Sequence, residues 1–297
     1  GRAPGPAASA GAVCLECRLD SAWDLAALLQ ALQLREKDQK DQRVHCEASS
    51  KGLKLVAQSG AKDVAVLGWM LNSSFREYRF TGLAEDVHLK LPVAPLLSCL
   101  TVFSDRASLV LRYRAEDEVP LHLTMEEEGA VTECRVRTMM LDEAPAAFGS
   151  FFAQGEPTSV LRPAQPEAWY HALLEFAELD GLDVALRVTL RALDPSVDPS
   201  APAVVLRAQT VTSDAEVELP HGAFEAIEVP EDMAAGGEVT HGYPLSSVLS
   251  SCLRAAKDAK GVKIRFNRDG VMSNQFILKG RGQADLFCEA LVIPLAE

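Results

Sequence analysis

The sequence predicts an α+β protein in which one plan of short strands and two short helices occurs twice. Three observations predict this: many short runs separated by turn residues, four stretches with an apolar stripe at helical spacing, and the same order of both in each half. The chain has 297 residues and is 48% hydrophobic, which suffices for two domains with their own cores. We expect antiparallel sheets, each covered on one face by one-sided helices.

The first half opens with a strand candidate, Ala12–Asp20, and a helix candidate, Ser21–Glu36. The apolar stripe of this helix consists of Leu25, Leu28, Leu29 and Leu32. Ser21 is a suitable N-cap residue. Short runs and turns then lead to a second helix candidate, Val93–Ser104, and to three strands that form a meander ending near Thr138.

The second half repeats this order. A helix candidate, Pro166–Asp180, precedes four strand candidates between residues 184 and 230, and a second helix candidate covers Pro244–Lys260. A closing meander follows, with the strand candidates Val262–Asn267, Val271–Leu278 and Ala284–Ile293. The end of the chain is therefore the end of a repeated unit.

The composition divides the chain into four parts. Residues 1–11 carry neither a basic nor an apolar signal segment and are expected to be a disordered tail. Residues 12–138 and 166–297 form two domains, and residues 139–165, rich in Pro, Gly and Ala, form the linker between them. Phe148, Phe151 and Phe152 in this linker either pack back onto the sheet or line a groove for a partner peptide.

Charge and cysteine usage limit the partners. The formal charge of −13 argues against general adhesion to DNA or to an anionic membrane, although a locally basic surface remains compatible with it. No apolar run approaches the ~20 residues that span a bilayer, so no membrane partner is expected. The seven cysteines mostly lie inside apolar runs, which favours a reducing compartment.

Motifs that carry chemistry are weak. Cys14 and Cys17 form a lone Cys-x-x-Cys pair, which does not predict zinc, and no glycine-rich phosphate loop occurs. Two-metal hydrolysis requires converging carboxylates, and the nearest approximation is Asp180, Asp183 and Asp194, at a helix end and in a Pro-rich loop. We therefore predict no catalytic residue, metal or cofactor, with a 3′–5′ DNA exonuclease as an alternative.

Four segments resemble the sliding-clamp superfamily, and specifically the Rad-one-type subunit of the nine-one-one checkpoint clamp. They are VHCEASSKGLKLVAQSGAKDVAVLGWMLNSSFREYRF, LKLPVAPLLSCLTVFS, PLHLTMEEEGAVTECRVRT and VKIRFNRDGVMSNQFILKGRGQADLFCEALVIP. The resemblance runs from about Val13 to about Pro294, and its second and third segments are the most specific to this subunit type. The Pro-rich loop Leu193–Ala203 is longer than the family pattern.

The resemblance implies a ring of three paralogous subunits, each with two pseudo-repeated domains. The strands would form the outer wall, and the helices would line a channel around duplex DNA. An ATP-dependent loader would place the ring at recessed ends in the nucleus, where it would recruit repair and checkpoint proteins without performing chemistry. A homotrimeric replication clamp is the second alternative, since it has the same fold.

The resemblance also implies functional residues. The side chains expected to face DNA are Arg254, Lys257 and Lys260, with Arg35, Lys37 and Lys40 at the rim and Arg106 and Arg162 as weaker candidates. The ring would close through two edge strands, Ala130–Thr138 and Ala215–His221, because exposed edges need a partner. The expected interface residues on these edges are Val131, Glu133, Arg135, Arg137, Glu216, Glu218 and Pro220.

Overall fold

The computed structural model describes most of the chain. The described residues are 15–34, 42–81, 87–114, 117, 120–140, 158–179, 184–193, 198, 200–230, 233, 236–281 and 285–296. In both halves the order of elements is one strand, one helix, five strands, one helix and three strands. The predicted repeat is therefore present in the structure.

The first repeat begins with a strand and a capped helix. Its elements are β1 (Leu15–Leu19), α1 (Ala22–Ala31), β2 (Arg43–Ser49), β3 (Gly52–Gln58), β4 (Val64–Leu71), β5 (Glu77–Phe80), β6 (Val87–Pro92), α2 (Val93–Leu100), β7 (Ser108–Tyr113), β8 (Leu121–Glu127) and β9 (Ala130–Val136). The Ser21 side chain accepts a hydrogen bond from the Trp23 N–H at 3.2 Å, as predicted for an N-cap. A two-residue strand, β10 (Met139–Met140), follows this repeat.

The second repeat matches the first element by element. It consists of β11 (Ser159–Pro163), α3 (Pro166–Leu174), β12 (Ala185–Arg191), β13 (Pro202–Gln209), β14 (Asp214–Pro220), β15 (Phe224–Glu228), β16 (Glu238–Pro244), α4 (Leu245–Lys257), β17 (Ala259–Phe266), β18 (Met272–Leu278) and β19 (Leu286–Val292). A single 3-10 turn follows the fourth strand of each repeat, at Asn72–Ser74 and at His221–Ala223. Both repeats thus share even their short turns.

Three strands differ from the sequence prediction. The segment predicted as a linker, residues 139–165, contains β10 and β11. The strand β16 was not predicted, because Gly242 and His241 interrupt its apolar alternation. It forms because it pairs along its whole length with β12, from Ala185 opposite Pro244 to Arg191 opposite Glu238.

The described strands form three sheets, and one of them joins the two repeats. Their orders are β5-β1-β7-β8-β9, β14-β13-β12-β16 and β10-β6-β2-β3-β4-β19-β18-β17-β11-β15. The last strand, β19, pairs antiparallel with β4, from Phe287 opposite Trp69 to Val292 opposite Val64. The final meander therefore connects the second repeat to the first.

The four described helices pack with their apolar stripes on the sheets. Leu28 and Leu29 of α1 and Trp169 of α3 are fully buried in one continuous core. At Gly68 of β4, an added Cβ would lie 2.8 Å from Cδ1 of Leu28, so the glycine allows α1 to approach the strand closely. Helices α1 and α4, one from each repeat, are in contact beside the β4–β19 junction. Among the described helices, none has the length and apolar character to cross a bilayer.

Candidate nucleic-acid groove and subunit edges

A groove of about 830 Å³ lies between the helices of the two repeats. Its lining comes from all four described helices and from the residues after α4 and β18: Trp23, Ala27, Gln30, Ala31, Gln33, Leu97, Glu167, Arg254, Lys257, Asp258, Ala259, Lys260, Leu278, Lys279 and Arg281. Five of these side chains are cationic and two are carboxylates. The groove is therefore locally positive on a chain whose net charge is −13.

Three of the predicted DNA-facing residues line this groove. Lys257, at the end of α4, is exposed. Arg254 is half-buried and donates a hydrogen bond to the Gln33 side chain of the first repeat, and Lys260 forms an ion pair with Asp285. Cations in the last turn of a helix also stabilise its dipole, so Lys257 and Arg254 have a structural role besides any contact with a ligand.

Sequence reasoning missed two further cations of the groove. Lys279 and Arg281 follow β18 and are exposed. The backbone N–H of Arg281 donates to Asp24 Oδ1 at 2.6 Å, and its side chain lies 3.5 Å from Asp105. These bonds hold the turn against the start of α1. The sequence feature that could have identified them is the pair of cations on either side of Gly280 in the final meander.

The remaining predicted cations are not part of the groove lining. Arg35, Lys37 and Lys40 lie outside the described residues. Arg106 is exposed in the turn after α2. Arg162 on β11 is exposed and alternates with the buried Leu161, so it points to the sheet face away from the core and its helices.

Both predicted interface strands lie at sheet edges. Among the described strands, β9 pairs with β8 alone and β14 pairs with β13 alone. The predicted residues on them are exposed: Val131, Glu133, Arg135 and Arg137 on or just after β9, and Glu216, Glu218 and Pro220 on β14. Their neighbours Ala215, Val217 and Leu219 are half-buried and pack on the core. The β14 edge therefore has an apolar inner row and a polar outer row, whereas the outer row of β9 also contains the apolar Val131.

The outer row of β14 is acidic. Asp214, Glu216 and Glu218 alternate along its exposed face. Glu216 forms an ion pair with Arg207, which lies directly opposite it on β13. Pro220 ends the strand opposite Pro202. Since proline cannot donate a ladder hydrogen bond, the edge available to another strand stops there.

A small apolar cluster lies on the outer face of the large sheet, opposite the helices. Ala65, Leu67 and Leu291 are buried in it, with Val56, Trp69 and Ile293 packed around them. Beside it, the rings of His45 and His88 stack at 5.3 Å. Burial, together with the neighbouring His88, Lys54 and Lys90, lowers the pKa of His45 to about 4. The three phenylalanines predicted to line a peptide groove, Phe148, Phe151 and Phe152, lie outside the described residues.

The residues considered for hydrolysis and for zinc are mostly outside the described part of the chain. Asp180, Asp183, Asp194 and Cys14 all fall there. Cys17 is a buried thiol of β1. Within the described residues, no group of three or more His, Cys, Asp or Glu side chains has a metal-binding arrangement.

Comparisons with known proteins agree with this geometry. A family model described as repair protein Rad1/Rec1/Rad17 matches residues 14–278. The mouse cell cycle checkpoint protein RAD1 is 24% identical over 287 residues, which cover 95% of this chain and 92% of the mouse protein. The human protein of the same name is 27% identical over 135 residues, which cover 43% of this chain and 44% of the human protein.

A solved structure shows the same fold. A chain of the PCNA2–PCNA3 complex from Sulfolobus tokodaii superposes with a TM-score of 0.68 at 15% identity, covering 95% of this chain and 100% of that chain. The predicted fold of two pseudo-repeated sliding-clamp domains is thereby confirmed, as is the resemblance to a Rad-one-type subunit at the level of the family. The chain belongs to the Rad1/Rec1/Rad17 family of repair proteins.

Proposed function

We propose that the chain is a non-catalytic subunit of a heterotrimeric clamp that encircles DNA in the nucleus and acts in the DNA-damage checkpoint. The observation that carries this proposal is the β4–β19 pairing within the chain. Strand β4 is the fourth strand of the first repeat, and β19 is the last strand of the second repeat. The other fourth strand, β14, and the other last strand, β9, each lie at the edge of a described sheet.

The same pairing between chains would extend the fold from subunit to subunit. The β14 edge would pair with the last strand of the first repeat of one neighbour. The β9 edge would pair with the fourth strand of the second repeat of the other neighbour. Such a head-to-tail interface closes into a ring when its rotation permits. The division into domains 12–138 and 166–297 belongs to this proposal, with each domain contributing one edge. The Sulfolobus PCNA2–PCNA3 complex, which contains two different clamp chains, supports unlike neighbours.

The groove between the helices supports the DNA-encircling part of the proposal. Lys257 and Lys279 are exposed in it, and Arg254, Lys260 and Arg281 lie beside them with protein partners. A closed ring holds DNA by topology and needs few phosphate contacts. Four exposed cations, two of which are in ion pairs, are consistent with loose contact. Each phosphate contact contributes about −0.9 to the slope of log K against log salt.

The checkpoint part of the proposal comes from the family. The mouse and human relatives are named cell cycle checkpoint proteins, and the family is described as repair proteins. Loading by an ATP-dependent clamp loader and recruitment of repair and checkpoint proteins are the parts of the proposal that this membership supports. The apolar cluster of Ala65, Leu67 and Leu291 on the outer face is the surface we assign to recruited peptides, together with the phenylalanines of the linker.

The mass in solution tests the assembly. The purified chain is measured alone and after mixing with two candidate paralogous clamp subunits from the same organism. We expect a monomer alone and a one-to-one-to-one assembly in the mixture. A stable trimer of this chain by itself would contradict the proposal and indicate a homotrimeric replication clamp.

Nuclease activity is tested separately. The chain is incubated with 3′-labelled duplex DNA and Mg²⁺ or Mn²⁺, and we expect the label to stay on the DNA. Release of label that is lost in an Asp180→Asn, Asp183→Asn or Asp194→Asn variant would establish the exonuclease alternative instead. Release unaffected by these variants would indicate a contaminating enzyme.

A further inference from the structure

We propose that pairing of the β9 and β14 edges between two copies of this chain is disfavoured, because it places Glu133 of one copy opposite Glu216 of the other. The β14 edge instead selects the last strand of a different clamp subunit, one with Lys or Arg opposite Glu216. This inference rests on the proposed ring, and it adds the register and the chemistry of the partner strand. The occupant of the β14 edge is thus a strand that alternates apolar and basic side chains.

The register comes from the alignment of the two repeats. In the first, β3 ends with Gln58 opposite Ala65 of β4, and in the second, β13 ends with Gln209 opposite Asp214 of β14. Ala65 therefore corresponds to Asp214. The 3-10 turns agree with this, because Asn72 and His221 are their first residues and lie at the same distance along the chain. Counting along the strands, Leu67 corresponds to Glu216.

The last strands align in the same way. Strand β9 has Ala130 opposite Glu127 and Val136 opposite Leu121 of β8. Strand β19 has Leu286 opposite Leu278 and Val292 opposite Met272 of β18. Both strands have seven residues, so the fourth residue of each, Glu133 and Glu289, occupies the same place.

The register of the β4–β19 junction within the chain then serves as the template for pairing between chains. Within the chain, Glu289 lies opposite Leu67. Transfer of this register to the edges puts Glu133 of one copy opposite Glu216 of the next. The internal junction avoids a charge conflict because Leu67 is apolar and Glu289 is held by Arg265 at 2.6 Å. The junction between two copies would place two exposed carboxylates opposite each other, with no apolar residue at either place.

The neighbouring outer pairs compensate only at one end. Glu218 would lie opposite Val131, whereas Asp214, the first residue of β14, would lie opposite Arg135, and Arg137 would extend beyond β14. Glu216 already has Arg207 beside it, which reduces the repulsion without removing it. Like charges directly opposite on paired strands are destabilising. The inner apolar rows supply affinity to any clamp neighbour, and the outer charges discriminate between them.

Charge reversal tests this register on the chain alone. Glu133→Lys, Glu216→Lys and the double variant are compared with the wild type by sedimentation velocity at tens of micromolar protein in low salt. We expect each single variant to self-associate several-fold more strongly than the wild type, because Lys then faces Glu. The double variant should fall back to the wild-type level, because Lys faces Lys.

The matched control is Glu126→Lys on β8, which changes the charge equally on an exposed residue one strand away from the edge. It should sediment like the wild type. Single variants that do not exceed this control, or a double variant that associates as strongly as the single ones, would overturn the proposal. Glu133→Arg and Glu216→Arg provide a second pair if a lysine variant folds poorly. Failure of the proposed ring would be distinguishable, since it would appear as wild-type chain that does not join its paralogues.

Discussion

The hydroxyl of Ser247 on α4 donates a hydrogen bond to Oδ2 of Asp63, 2.6 Å away in the turn between β3 and β4. A second hydroxyl, from Ser59, donates to Oδ1 of the same carboxylate at 2.6 Å. The backbone carbonyl of Asp63 also accepts from the N–H of Ile293, just beyond β19, at 2.9 Å. One residue of the first repeat thus holds both a helix and the terminal strand of the second.

Asp63→Ala is expected to destabilise the chain by about 1–2 kcal/mol. Hydrogen bonds to charged groups contribute about 1.5–3 kcal/mol, and the partial exposure of this carboxylate places the loss at the lower end. Urea unfolding monitored by circular dichroism measures the change. Asp198→Ala is the matched control, because the exposed side chain of Asp198 bonds to Ser200 within its own turn and joins no distant elements. An equal loss in both variants would contradict a special role for Asp63.

The same contact predicts a pH dependence. Burial alone raises the pKa of Asp63, but the hydrogen bonds from Ser247 and Ser59 outweigh it and hold the pKa below the ordinary value of 3.8. The contribution of a carboxylate with a lowered pKa is complete above its unfolded-state value and is lost as pH falls through the folded-state value. We expect the gap in stability between wild type and Asp63→Asn to be constant from pH 7 to 5 and to shrink below about 3.8. A gap that is unchanged at lower pH would contradict this.

Lys257→Ala and Lys279→Ala should weaken DNA binding by the assembled ring. If each lysine contacts one phosphate, each substitution should reduce the magnitude of the slope of log K against log salt by about 0.9. Fluorescence anisotropy on duplex DNA over a salt series gives the slope. The control is Lys51→Ala in the exposed β2–β3 turn, outside the groove. Slopes that match the wild type in both groove variants would show that the groove does not face DNA.

Gly52→Ala is expected to cost about 2 kcal/mol or more. The φ of Gly52 is +132°, and an added Cβ would lie 2.2 Å from the Met70 carbonyl oxygen. Side chains at such φ values are strained, and the β3–β4 pairing prevents the backbone from relaxing. Gly60→Ala is the control, since a Cβ there meets nothing within 4 Å. Comparable unfolding midpoints for the two variants in urea would refute the expectation.

Four buried thiols should resist alkylation in the native chain. Burial raises the pKa of Cys46 and of Cys252 to about 12 each, and it also raises the pKa of Cys17 and Cys288. Because the thiolate is the reactive form, iodoacetamide at pH 8 should leave these four unmodified until denaturant is added. Peptide mass spectrometry identifies the labelled sites. Rapid labelling of any of the four in the native chain would contradict their burial.

The helical spacing of apolar residues predicted the presence of the helices well and their end points less well. The stripe that begins at Leu25 predicts α1, but the helix ends at Ala31, five residues before the predicted Glu36. The end is set by Gln42, whose side chain donates to the Leu32 carbonyl at 3.0 Å and accepts from the Leu34 N–H at 3.3 Å. No local signal marks that contact, because it forms only when β2 has packed beside the helix.

The groove was predicted in part for a similar reason. Arg254 and Lys257 were recognisable because they lie on the polar face of an amphipathic helix. Lys279 and Arg281 were not, since a turn between strands gives no indication of which side of the sheet it occupies. The bond from the Arg281 N–H to Asp24 determines that side, and it joins residues of different repeats.

The sequence by itself determined the repeated order of elements, because hydrophobic periodicity and turn residues act over a few neighbouring positions. Only the tertiary structure decided that β19 crosses to β4 and leaves β9 and β14 at the edges. Val64 and Val292 face each other across the junction although 228 positions separate them in the chain of 297 residues. The alternation of apolar and polar residues identifies a strand and its two faces. Which distant strand it pairs with depends on the packing of both cores.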